Sequence, residues 1–512
     1  MKEWTCCSSE LLAKLISQFC TENLLQPVDN RLDLGAVSYS FTATRGAFDS
    51  WRVAADSVRR TAAGILGNDE SEVATDPVQF LVDAADVLGL DGSTVAGYVA
   101  ELTSPLAADV RMSSAAVPAT ELLDLHHSRL EGHLTGHPLL VANKGRLGFS
   151  AEDSLRYTPE ARTPLRLVWL AVRRGLAEFR GTPDLSEHSV LSRELDPETL
   201  DTFRGQLVDP DSYVWLPCHP WQLDHVVRTQ WARELATGEI VVLGEGSDEY
   251  LPTQSIRTMV NITNPARYQV KLPLKILNTS VYRGIPEHCT LAAPMLTQWL
   301  RGLWQRDEVF NHLGSELLGE VASVTVRHPQ LSTTPGVPYQ WTETLGCIWR
   351  DPIDPRLRPG ESVWALAAVL HPGLAAEMIA RAGADPQAWI SHLLSTLLRP
   401  LLHLMHHYGI TVNPHGENLA IICTPEGLPA RLVIKDLVDD INISTDPIVA
   451  RGPEPDSHER VLPRKPWHIL RQYLVDALLL GVLNPLADLN LLPADTFWGL
   501  ARGEIEIGRA HV

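Results

Sequence analysis

The segment running from Trp389 to Lys435 limits the possible folds more than any other. "WISHLLSTLLRPLLHLMHHYG" predicts a long apolar helix with Gly409 just past its end. "LAIICTPEGLPARLVIKD" then reads as two strands, Leu419–Cys423 and Arg431–Lys435, joined by the turn "TPEGLP". Between helix and hairpin lies "TVNPHGENLAII", which places Asn413, His415, Glu417 and Asn418 at one short junction. A plain turn needs one or two such groups.

Centring the hairpin on Gly427 sets Asn418 opposite Asp436, about 5 Å apart in an antiparallel pair. His415 and Glu417 fall at the same open end, and Asp439 and Asp440 continue beyond it. Carboxylate and carboxamide oxygens of this kind suit Mg²⁺. A capped, polar hairpin mouth is the competing reading. The histidines before the junction, His403, His406 and His407, read as helix C-terminal residues. A zinc site there lacks the further ligand and the glutamate base that hydrolysis needs.

A second hairpin, "SIRTMVNITNPARYQVKLPLKIL", turns at Asn264-Pro265 and sets Thr258 opposite Lys271. Ser255, Arg257, Thr258 and Lys271 then gather on one small sheet. They form either a phosphate cradle or a solvated sheet face. Lys271 and Arg283 are too far apart for one straight strand, which would separate them by roughly 40 Å. In "LNTSVYRGIP", a short helical turn capped by Asn278 or Thr279 would put Thr279 and Arg283 on one face as a carboxylate site. "GHPLLVANKGRLGFS", Gly136–Ser150, is a glycine-rich basic loop in which Lys144 and Arg146 share a side; a surface turn is the default reading. His219 of "CHPWQLDH" reads as structural.

Residues 1–130 read mostly as helices, and "TPLRLVWLAVRRGLAEFR", 163–180, as a further helix with Thr163 as N-cap and Pro164 in the first turn. Short β-branched runs dominate from about 213 to 350, and helices from about 362 onward. Helix, sheet, then helix with a small sheet predicts an α+β chain of three packed parts. The length, 512 residues, exceeds one ordinary core.

The net charge of −19 argues against non-specific nucleic-acid or anionic-membrane binding. The seven cysteines are odd in number, widely spaced and without a CxxC pair, which points to a reducing, cytoplasmic setting. No signal peptide is evident. The most apolar stretch, "ALLLGVLNPLADL", is broken by Asn484, Pro485 and Asp488. The final "EIGRAHV" matches the translation of a common sequencing adapter and reads either as appended sequence, in which case C-terminal helices are missing, or as a genuine polar tail. No P-loop, GxGxxG, HExxH or GxSxG motif occurs, so a nucleotide must bind by another route.

Six segments in order, "GHP…NKGRLGFS", "HPWQ", "SIRT", "KLPLKILNTSVYR", "HGEN" and "KDLVDD", resemble the IucA/IucC family, the NRPS-independent siderophore synthetases, over roughly residues 130–445. The resemblance implies a cupped-hand fold: a helical, thumb-like part over 1–155, a β-rich, ATP-cradling, fingers-like part over 156–350, and a mostly helical, palm-like part over 351–512, cut short. It implies that ATP, with Mg²⁺, adenylates a carboxylate of citrate or a related acid. An amine or hydroxyl then forms the amide or ester, releasing AMP and pyrophosphate. A kinase-like phosphotransferase and a non-catalytic carboxylate- or siderophore-binding protein are the alternatives. Carried over by motif, Ser255, Arg257, Thr258, Lys271 and Arg283 bind phosphates, and His137, Lys144 and Arg146 belong to a loop closing on the nucleotide. Thr279, Arg283 and His415 hold substrate carboxylates. Glu417, Asn418 and Asp436 serve the nucleotide, with Asn418 and Asp436 on the metal. Arg283, His415 and Lys271 are the catalytic candidates, and a homodimer is expected. Some relatives carry Glu two residues before the motif histidine and Gln two after it, where this chain has Asn413 and Glu417.

Overall fold

The computed structural model describes residues 2–62, 70–279, 281–456 and 460–510. At its centre an eight-stranded sheet runs Tyr213–Cys218, Leu165–Arg173, Ile240–Pro252, Thr258–Asn261, Gln269–Lys271, Gly346–Arg350, Glu320–Val326, Ala177–Gly181. Every neighbouring pair is antiparallel. The fold is α+β, as expected.

The expected helix over 163–180 is instead two strands of this sheet, Leu165–Arg173 and Ala177–Gly181. Residues 167–172, "LVWLAV", are all buried, as in a central strand covered on both faces. A continuous apolar run rich in β-branched and aromatic residues carries no periodicity to tell helix from strand, and the long-range pairing decides. Thr163 caps nothing; its hydroxyl donates to the carbonyls of Ala161 and Leu155.

The first 130 residues are also less helical than predicted. Helix Lys2–Thr21 packs Leu12, Leu15 and Ile16 against Tyr39, Phe80 and Leu81. Tyr39 belongs to a four-stranded sheet, Arg31–Asp33, Val37–Ser40, Arg59–Ala62 and Glu70–Val73, which the helical reading passed over. These strands are three or four residues long, so their period-2 signal is weak.

The long helix Pro386–Tyr408 starts on Asp385, whose carboxylate accepts from Ala388 N at 3.2 Å. It ends at Gly409, with φ 60°. Gly409 is required twice over: its φ is left-handed, and a Cβ there would lie 2.9 Å from Ser444 Cβ. His403 bonds Asp307, and His406 stacks on Trp467, in keeping with a structural reading. His219 is fully buried as the cap of a helical turn, its Nδ1 accepting from Trp221 N at 3.1 Å.

The helix buries Leu393, Leu394, Leu397 and Leu401 against the sheet Glu316–Leu317, Pro429–Ile434, Leu419–Cys423, Ser362–Ala365. The same core takes in Ile285, Leu296 and Phe310 from the stretch before 350. Among the described residues one helix, Trp467–Asp488, is long and apolar enough by composition to cross a membrane. Its Leu478, Val482 and Leu483 lie in this C-terminal core, and Asn484 donates to Ser50 Oγ at 3.1 Å. Of the terminal "EIGRAHV", His511 and Val512 lie outside the described residues.

Candidate active site

A cavity of about 680 Å³ is walled by the loop at His137, the turn at Gln254–Arg257, the hairpin at Asn278–Pro286 and the junction at Asn413–Asp440, with Tyr339, Glu343, Asp476 and Ala477 completing the lining.

The turn before strand Thr258–Asn261 is closed by Ile256 N to Thr253 O at 2.9 Å and Arg257 N to Ser255 O at 2.7 Å. To make it, Ile256 adopts φ 59°, a left-handed conformation that a β-branched residue resists. Its fully buried side chain holds it there and throws Ser255 and Arg257 to the cavity side. Thr258 pairs with Lys271 in the predicted register. Thr258 itself lies beneath the lining, its hydroxyl accepting from Ser255 Oγ at 3.0 Å. Replacing Ile256 by Gly relieves about 1–3 kcal/mol of backbone strain but removes a buried side chain worth about 2–5 kcal/mol. We expect Ile256→Gly to lower the melting temperature and to raise the KM for nucleotide. A higher melting temperature would show that strain outweighs burial here.

No capped helical turn forms at Asn278-Thr279. Strands Leu274–Asn278 and Val281–Arg283 make a tight hairpin instead, with Thr279 at φ 50°. The β-branched "KIL" run and the paired "VYR" favour strands over a short cap. Thr279 and Arg283 still meet, because Arg283 Nη2 donates to Thr279 Oγ1 across the turn. Arg283 Nε is buried without a hydrogen-bond partner among the described residues, a donor left for an anion. Burial, then Arg257, lowers the Arg283 pKa, opposed by Glu417 and Asp436. Strand Arg146–Leu147 joins this hairpin as a third strand, and Asn278 Nδ2 donates to Gly145 O at 2.8 Å. That docking brings His137 to the cavity.

The predicted pairing of Asn418 with Asp436 is off by one residue. Leu419 pairs with Ile434, so Asn418 stands beside Lys435, whose N–H donates to Asn418 O at 3.0 Å. A bulge between Ile422 and Cys423 inserts an extra residue, making the turn asymmetric about Gly427. Asn418 and Asp436 nevertheless share the cavity. Asn418 Nδ2 donates to Asp440 Oδ2 at 2.7 Å and Asn413 Nδ2 to Asp440 Oδ1 at 3.3 Å, which gives Asn413 a role the turn alone did not. The Asp439 side chain lies outside the described residues.

Asp436 leaves the strand at φ 65° and turns over two buried cations. Lys271 Nζ donates to its Oδ1 at 2.5 Å and Arg350 Nη2 to the same oxygen at 2.9 Å. Glu320, fully buried, lies 3.2 Å from Arg350 and 3.8 Å from Lys271. Burial pushes the Asp436 carboxyl up, but Lys271, then Arg350 and Arg257, hold it well below the usual carboxylate range.

The rings of His137 and His415 lie edge to face with centroids 6.5 Å apart. His137 Nδ1 accepts from the N–H of Leu139 and Leu140, and His415 Nδ1 from that of Glu417, so any remaining ring proton sits on Nε2. Burial, with His415 and Lys14, pushes His137 down to about 3. Burial also lowers His415, against Glu417 and Asp436. Both rings are neutral at pH 7.

Of the predicted site residues, the structure gathers His137, Ser255, Arg257, Thr279, Arg283, His415, Glu417, Asn418 and Asp436 around the cavity. It does not bring Lys144, Arg146 or Lys271 to the lining. Lys144 is paired with Asp109 and Arg146 with Glu160, both cations buried. Two basic residues on one side of an extended loop meet whatever packs there, and here that is carboxylates. Lys271 acts from beneath, through Asp436. Arg350, Glu320, Asp440 and Asn413 were not in the predicted site set; an arginine and a glutamate at the ends of apolar strands, "CIWR" and "EVASVTV", were the available signal for the first two. The result is a cavity with guanidiniums on one wall and oxygen donors from Glu417, Asn418, Asp436 and Asp440 on another. Such an all-oxygen set fits Mg²⁺.

The model described as the IucA / IucC family matches residues 126–371, and one described as a ferric iron reductase FhuF-like transporter matches residues 387–511. The rhizobactin siderophore biosynthesis protein RhbF of Rhizobium meliloti (strain 1021) is 34% identical over 98% of this chain and 86% of its own length. The chain belongs to the IucA/IucC family. Aerobactin synthase of Escherichia coli is 30% identical, over 94% of this chain and 83% of that protein. Among solved structures, aerobactin synthetase IucC from a hypervirulent pathotype of Klebsiella pneumoniae superposes with a TM-score of 0.88 at 27% identity, covering 100% of this chain and 92% of that one. In this IucA/IucC family member the cavity draws on both matched regions: Ser255 to Arg283 fall in the first, Asn413 to Asp440 in the second.

Proposed function

We propose that the cavity is the active site of an ATP-dependent siderophore ligase that joins a carboxylate of citrate, or a related di- or tricarboxylate, to an amine or hydroxyl. The observation that carries this reading is the division of one cavity into a guanidinium wall, Arg257 and Arg283, and an oxygen wall, Asn418, Asp436 and Asp440. In the first step a substrate carboxylate oxygen attacks the α-phosphorus of ATP, and the bond to the departing pyrophosphate breaks. In the second the nucleophile attacks the acyl carbon, loses its proton, and AMP leaves.

Arg257 and Arg283 neutralise the charge that develops on phosphorus and on pyrophosphate. Ser255 and Thr279 hydroxyls orient phosphate and carboxylate oxygens. The neutral rings of His137 and His415, each with an Nε2–H, donate hydrogen bonds to substrate oxygens without adding charge. Asn418, Asp436 and Asp440 would hold Mg²⁺, which when bound neutralises polyphosphate charge. Asp436, kept ionised by Lys271 and Arg350, is ready for that role at any working pH. No covalent enzyme nucleophile is required.

Purified chain with ATP, Mg²⁺, citrate and a panel of amines should release pyrophosphate and AMP. Release of ADP instead would favour a phosphotransferase, and citrate binding without turnover a binding protein. We further propose a cytoplasmic location, in keeping with seven unbridged cysteines, of which only Cys6 is exposed. We also propose a division near residues 155 and 350, and a homodimer. Limited proteolysis and light scattering test the last two.

A further inference from the structure

Away from the cavity, two adjacent imidazoles converge on one carboxylate. His126 Nε2 lies 2.7 Å from Asp354 Oδ1, and His127 Nε2 lies 3.2 Å from Asp354 Oδ2. One ligand atom from each of the three residues lies within 4.8 Å of the other two. We propose that His126, His127 and Asp354 form a binding site for a single divalent transition-metal ion of the zinc type, separate from the oxygen-lined cavity.

Three features carry this. The first is the donor set. Two imidazole nitrogens and a carboxylate oxygen suit Zn²⁺ or Co²⁺, and suit Mg²⁺ poorly. The second is spacing. A tetrahedral ion with bonds of about 2.0 Å needs ligand atoms about 3.3 Å apart; His127 Nε2 already stands 3.2 Å from the carboxylate, and His126 Nε2, at 2.7 Å, must open by about 0.6 Å. The third is orientation. His126 Nδ1 lies 2.8 Å from Ser128 Oγ. Ser128 N–H donates to the same Nδ1 at 3.4 Å, so ligation through Nε2 requires the ring proton to move to Nδ1, where the nearer hydroxyl can accept it. His126 keeps 39% of its side-chain exposure and Asp354 22%, so water can reach a fourth position.

The location gives the site a structural role. His126 and His127 open the segment that leads to His137. Asp354 follows the strand that ends in Arg350. An ion there ties together two elements that frame the cavity, and it competes with the protons that the imidazoles otherwise share with Asp354.

The test uses the full chain, stripped with a chelator and titrated with Co²⁺ and then Zn²⁺. Visible absorption reports Co²⁺ ligation, and thermal unfolding reports stabilisation. We expect one tight equivalent and a rise in melting temperature on adding it. His127→Ala and Asp354→Asn should each lose both effects, and Ser128→Ala should weaken binding by about 10-fold or more. His403→Ala, which opens a different histidine–carboxylate pair, should leave them unchanged. Retained ATP binding shows that each variant is folded, and the two ligand variants are independent of one another. Absence of a stoichiometric Co²⁺ site in the parent chain, or its persistence in either ligand variant, overturns the proposal.

Discussion

Arg283→Ala should reduce pyrophosphate release by about 10³-fold, at the upper end of what one lost transition-state donor costs. Arg283 is the cation that meets both halves of the proposed chemistry. Its Nη2 holds Thr279, its Nε has no protein partner among the described residues, and it faces the cavity beside Arg257. Because charge grows on phosphorus and pyrophosphate as the reaction proceeds, the loss should fall mainly on kcat. Arg283→Lys should recover only part of it, since an ammonium cannot fork to two oxygens. The side chain is half-buried at a cavity edge, so the fold should survive, and an unchanged far-UV spectrum would confirm that. Near-normal turnover would remove Arg283 from the site.

Asp436→Ala should abolish activity and also destabilise the chain, by about 3 kcal/mol if breaking a buried pair costs its usual amount. The substitution leaves Lys271 and Arg350, both nearly inaccessible, with Glu320 as their remaining acidic neighbour of this network. A pH series separates this from a simple packing defect. In the parent chain the Asp436 carboxyl is depressed. Its contribution is therefore complete above the unfolded carboxyl value of about 3.9, declines as pH falls below that value, and is gone once pH has passed the lower folded value. The stability gap between parent and variant should thus hold constant from neutral pH to about 5 and close in acid. A gap that persists unchanged to pH 2 would mean that Asp436 is not the group being titrated.

The two hairpins show how far local reading carries. At 258–271 the paired residues are equidistant from Asn264-Pro265 and no bulge interrupts the pairing, so counting outward found the true register. At 419–434 the same arithmetic slipped by one: counting outward from Gly427 assumes one centre for every pair, and the bulge at Ile422–Cys423 places one extra residue, Ala430, on one side of the turn, which that count does not include. The site survived the slip because Asp436 and Asn418 reach the cavity by other means: a left-handed backbone at one and an amide bonded to Asp440 at the other. The helix wrongly expected at 163–180 has a different cause. A run buried on every side looks alike as helix or strand until its partners are known.

What the sequence determined by itself was the chemistry available and its local grouping: hydroxyls and guanidiniums at 255–283, amide, imidazole and carboxylate at 413–440. Those groupings depend on turns and short-range hydrogen bonds, which residue type specifies. The tertiary structure alone decided which charges face the cavity and which are neutralised behind it. Lys144, Arg146 and Lys271 look like Arg257 and Arg283 in sequence, yet Asp109, Glu160 and Asp436 claim them. A cation's availability depends on the carboxylate that packs against it, and that neighbour can lie more than a hundred residues away along the chain.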